Sequence, residues 1–227
     1  PQSTDQFTQT EENSFKHVSQ EPLSTFSIDV DTASYAIVRR MLTDGALPPA
    51  QAVRVEEMLN YFDYDYPQPA QGQPFSVNME QAACPWAEGH KLVRVGLKGR
   101  TFEAGQRPPC NLVFLLDVSG SMDEPNKLPL VKRSMEVLLR GLTQDDRVAI
   151  VTYACGSGVA LGSTACGPAG QKKILQTLQS LNAGGSTNGS GGLRLAYQAA
   201  GENFSKHGNN QVILCTDGDF NVGETSQ

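Results

Sequence analysis

The stretch Asn111–Met122 reads "NLVFLLDVSGSM". Leu112–Leu116 is an apolar run of strand length without alternation, the pattern of a strand covered on both faces. It ends in a carboxylate, Asp117, and hydroxyls follow at Ser119 and Ser121 with Gly120 between them. A charge at the end of a buried strand is costly unless something compensates it. The stretch therefore predicts both a sheet with two covered faces and a partner for Asp117.

Two further runs of the same kind lie downstream, "RVAIVTYA" (147–154) and "QVILCT" (211–216). Leu128, Val131, Met135, Leu138 and Leu142 recur at helical spacing between the first two, which predicts a helix with one apolar stripe. Ile174, Leu178 and Leu181 repeat the pattern, as do Leu193, Ala196, Ala200 and Phe204. "GSGVALG" (156–162) reads as a short antiparallel strand after a tight glycine turn. Strands alternating with helices predict a doubly wound α/β domain over 111–227, its sheet mostly parallel and flanked by helices.

In open sheets of this kind, ligands bind beyond the carboxyl ends of the strands. Asp117 and Asp217 stand at two such ends, and the glycine-rich loop "NAGGSTNGSGG" (182–192) carries Thr187. The candidate set is Asp117, Ser119, Ser121, Thr187 and Asp217. All five offer oxygen and none offers nitrogen or sulfur, a choice that suits Mg²⁺, Mn²⁺ or Ca²⁺. The bland alternative is turn chemistry, with Asp, Ser and Gly as turn residues and Thr187 as a helix cap.

The first half reads differently. Residues 1–22 form a polar arm, and 23–110 a smaller α+β region. "STFSIDV" (24–30) alternates like a strand, and "DTASYAIVRRML" (31–42) like a helix capped by Asp31 or Thr32, with Gly45 past its end. "AVRVEEMLNYF" (52–62) predicts a second helix, and "FSVNMEQA" (75–82) with "KLVRVGLKG" (91–99) a hairpin. The Asp29–Asp31 pair also resembles the D-x-D motif of haloacid-dehalogenase-type phosphotransferases. Ala33 stands where that family wants Thr, so a strand end and a helix cap are the preferred reading.

Several classes are excluded or disfavoured. The formal charge is −6 and Lys and Arg are scattered, so no nucleic-acid footprint is present. No apolar run approaches the ~20 residues of a transmembrane helix. The three histidines lie far apart and no C-x-x-C occurs, which argues against zinc and against a His-based catalytic triad. Trp86 is expected as a packing anchor and Cys215 as a small buried hydrophobe. Cys155 and Cys166 flank "GSGVALGSTA" (156–165), where a hairpin would bring them into disulfide reach; Cys84 with Cys110 is a weaker second pairing.

"DVSGSM", the Thr of "GGSTN" and "TDGD" together resemble the D-x-S-x-S…T…D metal-ion-dependent adhesion site of von Willebrand factor type A domains. "PLSTFSIDVDTASYAIVRRML", "VRVEEMLNYFDYDYP" and "RPPCNLVFLLDVSGSM" resemble bacterial YfbK-type proteins, which carry an N-terminal region before such a domain. The resemblance implies an adhesion-type, non-enzymatic module outside the cytoplasm, periplasmic or at the cell surface, with a lipid anchor through a removed N-terminal segment as one route. It also implies a protein partner whose Asp or Glu completes the cation's coordination. The competing readings are a phosphotransferase using Asp29 and Asp31, and a structural module whose metal only locks loops. Type A domains continue past the "TDGD" strand, so the resemblance further implies a fragment, or a second chain that completes the fold at an otherwise open sheet edge.

Overall fold

The structure is a computed structural model that describes residues 13–102, 107–185 and 189–217, with Gly189 and Ser190 described by backbone alone. The chain divides into two compact units, Pro1–Thr101 and Phe102–Gln227.

In the first unit, helix α1 spans Ala33–Thr43, a 3₁₀ turn spans Ala50–Ala52 and helix α2 spans Val55–Asn60. Gly45 follows α1 with φ +76°, the left-handed conformation that ends helices at glycine. The expected cap is corrected: Thr32 is the N-cap residue but makes no side-chain cap hydrogen bond. Instead the Ser34 N–H donates to Oε2 of Glu57 at 2.9 Å, and Ser34 Oγ donates to the Ala52 carbonyl while accepting the Arg54 N–H. A carboxylate from α2 thus satisfies an orphan donor of α1 and complements its positive end.

Strands β1 (Phe75–Ala83) and β2 (Lys91–Gly99) pair antiparallel as expected, from Phe75↔Gly99 to Ala83↔Lys91. On one face Arg94 lies 5.3 Å from the ring centres of both Tyr64 and Tyr66. Gly96 is required there, since a Cβ would run into the Tyr66 ring. On the other face Phe75, Val77, Met79 and Val93 are all more than half exposed. Two further sequence expectations fail in this unit. Residues 24–30 form no strand, and Phe26, Ile28 and Val30 stand in solvent; alternation without a ladder partner does not hold a strand. Trp86 is 77% exposed at the hairpin turn rather than an anchor.

The second unit has a four-stranded sheet in the order β5-β4-β3-β6. Its elements in chain order are β3 (Cys110–Asp117), α3 (Leu128–Leu139), β4 (Arg147–Tyr153), β5 (Ser157–Ala165), α4 (Pro168–Ser180), α5 (Gly189–Glu202) and β6 (Asn209–Cys215). β3 pairs parallel with β4 and β6, and β5 runs antiparallel at the edge. This is the expected α/β fold with a mostly parallel sheet and helices on both faces. Leu112, Phe114 and Leu116 of β3 join a cluster with Met135 and Leu139 of α3 and Ile174 and Leu178 of α4. Val113 and Leu115 join the opposite cluster with Ala196 of α5. Successive residues of a strand point to opposite faces, so a strand covered on both sides must be apolar throughout.

The helical stripes are shifted slightly from expectation. Leu139 is buried and Leu138 is 39% exposed; on α5, Leu195, Ala196, Ala199 and Ala200 pack inward, while Phe204 lies beyond the helix and is 65% exposed. Leu139 takes the place expected of Leu138 because adjacent leucines both fit the spacing; Ala196 and Ala200 pack as expected, and Leu193 is 38% exposed.

The base of the sheet is fastened by a buried ion pair. Asp146 is fully buried and accepts from Arg107 Nη1 at 2.7 Å, from the Cys110 N–H at 2.8 Å and from the Thr143 N–H and hydroxyl. Burial alone would raise the Asp146 carboxyl. The guanidinium and these donors outweigh it and hold the group well below the usual carboxylate range. The expected Cys155–Cys166 disulfide is not formed. The residues between them make one nine-residue strand, not a hairpin, which separates its ends by roughly 30 Å. Cys166 is instead a core thiol whose pKa is pushed up to about 11, first by burial and then by the Asp146 charge. Cys84 and Cys110 are also thiols. Cys215 is half-buried and packed against the core, with its pKa raised by burial.

Candidate functional site

The order β5-β4-β3-β6 places a topological switch at β3. The chain leaves β3 toward β4 on one side and returns to β6 on the other. Connections that diverge in this way open a crevice beyond the carboxyl ends of β3 and β6. Asp117 ends β3, and Asp217 lies two residues past β6.

Asp117 is fully buried. Its Oδ1 accepts the Ser119 N–H at 2.8 Å, a local turn that Asp makes readily. Its Oδ2 faces the Thr216 hydroxyl at 3.4 Å. Ser119 is buried, and its Oγ lies 3.2 Å from Ser121 Oγ at the start of a 3₁₀ turn, Gly120–Asp123. Two strand-end hydroxyls and a carboxylate are therefore gathered by one short turn.

A second loop is pinned to the first through backbone. The Gly184 N–H donates to the Val118 carbonyl at 2.7 Å, and the Gly120 N–H donates to the Gly185 carbonyl at 3.0 Å. Gly185 has φ +86° and its α-carbon faces Cys155 Sγ so closely that a Cβ would collide. Glycine is thus required on both conformational and steric grounds. Thr187, two positions on, lies outside the described residues.

Asp217 is nearly buried. Its Oδ2 accepts from Lys127 Nζ at 3.0 Å, and the same ammonium donates to the Ser121 carbonyl at 3.0 Å. Tyr153 ends β4 in register with Asp117 of β3. Its phenol pKa is raised, first by burial and further by the Asp117 charge, with the Thr216 hydroxyl acting against both. Tyr153 therefore stays a neutral phenol.

The structure thus brings Asp117, Ser119 and Ser121 together and sets Asp217 beside Ser121 through Lys127. Three residues were not singled out by sequence. Thr216 could have been found as the hydroxyl adjoining Asp217. Lys127 and Tyr153 carried no signal, because one reads as a solvated charge before a helix and the other as the end of an apolar run.

Asp117 has no Lys or Arg within ion-pair distance among the described residues. A fully buried carboxylate with hydrogen bonds but no counter-charge, beside two hydroxyl oxygens, fits a hard cation. Among the described residues no three His, Cys, Asp or Glu cluster in a way that could hold a metal, so an ion here would depend on hydroxyl oxygens.

Asp29 and Asp31 belong to the other unit. Asp29 Oδ1 accepts the Asp31 N–H at 2.9 Å and Oδ2 lies 3.7 Å from Arg54. The Asn60 side chain donates to the Asp29 carbonyl at 2.7 Å. The pair shapes a loop against α2, and neither residue ends a strand or caps α1. Among the described residues no helix is long and apolar enough to cross a membrane.

A family profile described as von Willebrand factor matches residues 1–94, and one described as von Willebrand factor type A domain matches residues 112–219. The uncharacterized protein YfbK of Escherichia coli (strain K12) is 45% identical across 97% of this chain. The chain spans 39% of that relative's length. Among solved structures, the von Willebrand factor domain of the type V pili tip protein Mfa5 from Porphyromonas gingivalis is 22% identical, covers 49% of this chain and 38% of its own, and has a TM-score of 0.42. The PilB minor pilin from Streptococcus sanguinis is 16% identical, with 63% and 46% covered and a TM-score of 0.42.

Proposed function

The chain belongs to the von Willebrand factor type A family, and from that premise we propose that it is a protein-binding module of adhesion type that works through a divalent cation. Domains of this family commonly serve adhesion or protein interaction. The residues assigned to the ion are Asp117, Ser119, Ser121, Thr187 and Asp217, and the ion is Mg²⁺, with Mn²⁺ or Ca²⁺ as substitutes. The single observation that carries the reading is Asp117: fully buried, at a switch-point crevice, with no cationic side chain in reach among the described residues.

A bound dication would supply a positive centre with coordination positions left open to a partner's oxygen. The chain's own residues set up that centre. The Asp117 turn aims the carboxylate and orders Ser119; the Ser119–Ser121 spacing presents two neutral oxygens; the Gly184 and Gly185 backbone contacts hold those two residues to the same strand end, and Thr187 follows them in sequence. Two carboxylates and three hydroxyls do not saturate a hard cation, so an Asp or Glu of a protein partner is its natural further ligand. The role is binding rather than catalysis, in a compartment outside the cytoplasm, as the resemblance implies.

The reading is tested in two steps. Mg²⁺ should raise the melting temperature of the protein, because a ligand of the native state alone stabilises it, and Asp117→Ala should abolish the rise. An equal rise in the variant would place the ion elsewhere. Capture of partners from the native organism should then occur with Mg²⁺ and fail in EDTA. Undiminished capture in excess EDTA, with the thermal effect intact, would reduce the ion to a lock on the loops.

A further inference from the structure

Lys127 stands between the two sides of the proposed cation site. It immediately precedes α3, and its ammonium spans 3.0 Å to Oδ2 of Asp217 and 3.0 Å to the Ser121 carbonyl. The Lys127 side chain is 16% exposed and that of Asp217 is 9%. The pair is therefore shielded from bulk water, where an ion pair counts for more and salt screens it less. Glu124 lies 3.9 Å away, but its side chain is 65% exposed and it competes weakly. One of the two carboxylates in the site is thus already matched by the chain's own cation, whereas Asp117 is not.

We propose that Lys127 is a built-in competitor of the divalent cation: it holds Asp217 and the Ser121 turn while the site lacks the ion, and is driven off them as the ion binds. The inference rests on the reading of Asp117, Ser119, Ser121 and Asp217 as a cation site. A dication drawn to Asp217 meets an ammonium on the same carboxylate, and two positive charges a few ångströms apart in a partly buried site repel strongly. Either the ammonium leaves or the ion binds weakly. Lys127 also ties the Gly120–Asp123 turn to the end of β6, so its departure releases the turn that carries Ser121. Loading with the ion and the conformation of this loop are therefore one equilibrium, and the ion shifts it by its differential affinity for the two states. A site of this kind resists chance occupation at low cation concentration and changes its surface when filled.

The experiment is calorimetric titration of Mg²⁺ and Mn²⁺ into the full chain for wild type, Lys127→Met, Lys127→Arg and Asp117→Ala, with circular dichroism to establish folding. Lys127→Met should bind Mg²⁺ at least about tenfold more tightly than wild type, and Lys127→Arg should stay close to wild type because the charge is kept. Unchanged or weaker binding by folded Lys127→Met overturns the inference and makes Lys127 a structural tie. A second measurement needs no variant: acetylation of Lys127 in the wild-type protein, read by peptide mass spectrometry, should rise when Mg²⁺ is added. Labelling that stays constant or falls overturns the inference as well. The two layers fail separately. If Asp117→Ala binds Mg²⁺ as wild type does, the site itself is misassigned; if it loses binding while Lys127→Met matches wild type, only the role of Lys127 is wrong.

Discussion

The two units use the same kinds of residue to opposite effect. Among the described residues of Pro1–Thr101 the buried hydrophobic ones are Val38 and Ala52, while Phe15, Leu23, Phe26, Ile28, Phe75, Val77 and Met79 stand more than half exposed. In Phe102–Gln227 the central strands β3 and β4 are buried almost end to end, and helices close both faces. The first unit is held at α1 and α2 by polar contacts among Ser34, Arg54 and Glu57; the second is held by two apolar clusters and, at the base of its sheet, by the Arg107–Asp146 ion pair. Apolar sequence does not by itself make a core. It does so where a second layer is available to take it out of water.

That contrast can be broken by mutation, and the largest effect should fall at Asp146. Asp146→Ala leaves the Arg107 guanidinium and two backbone donors without their acceptor, and should cost about 3–5 kcal/mol in urea unfolding. The folded-state pKa of Asp146 is depressed, so its contribution is fully present above the ordinary carboxylate range. It is lost as pH falls below that range toward the folded value. The gap between wild type and Asp146→Asn should accordingly narrow in acid. A gap that is constant from neutral pH into acid would show that the ion pair is not what fastens the sheet.

A smaller loss is expected in the first unit. Glu57→Ala removes the acceptor of the Ser34 N–H, and an unsatisfied buried donor costs about 1–3 kcal/mol. Hydrogen exchange at the start of α1 should accelerate while the amides of β3 and β4 keep their protection. Acceleration in the sheet would mean that the units do not unfold separately. The smallest effect belongs to the hairpin. Val77→Thr exchanges an exposed side chain for a polar one of similar shape and should change stability by no more than about 0.5 kcal/mol. A loss comparable to that at Glu57, seen as a shift in the urea midpoint, would show that the exposed face of β1 and β2 is covered in solution.

The core of the second unit was legible because its signal is local. Leu112–Leu116 must be a strand buried on both faces, and the stripes Leu128–Val131–Met135 and Ile174–Leu178 must dock on it. The stripe edge at Leu138 was less legible, since a helix can rotate a few tens of degrees without changing the pattern; Phe204 lies past the end of α5, which apolar spacing does not fix. The strand expected at 24–30 failed for a different reason. Phe26, Ile28 and Val30 alternate as a strand should, but a ladder needs a second chain segment in register, and no spacing in one stretch encodes that. The Cys155–Cys166 bridge failed likewise, because strand length rather than sequence separation sets the distance between its ends.

Residue types and their spacing are enough to dictate the chemistry available at the candidate site: Asp117, Ser119 and Ser121 at alternate positions after a buried strand, glycines where the backbone must come close, and oxygen as the only donor element. These follow from residue type and short-range geometry, which neighbours in the chain settle between themselves. Tertiary structure alone decided which charges meet. Lys127 and Asp217 are 90 residues apart, and they form a pair because β6 returns beside β3 rather than beside β5. That choice lies in the order of the strands, and strand order is decided by how whole layers pack, to which each residue adds only a small share.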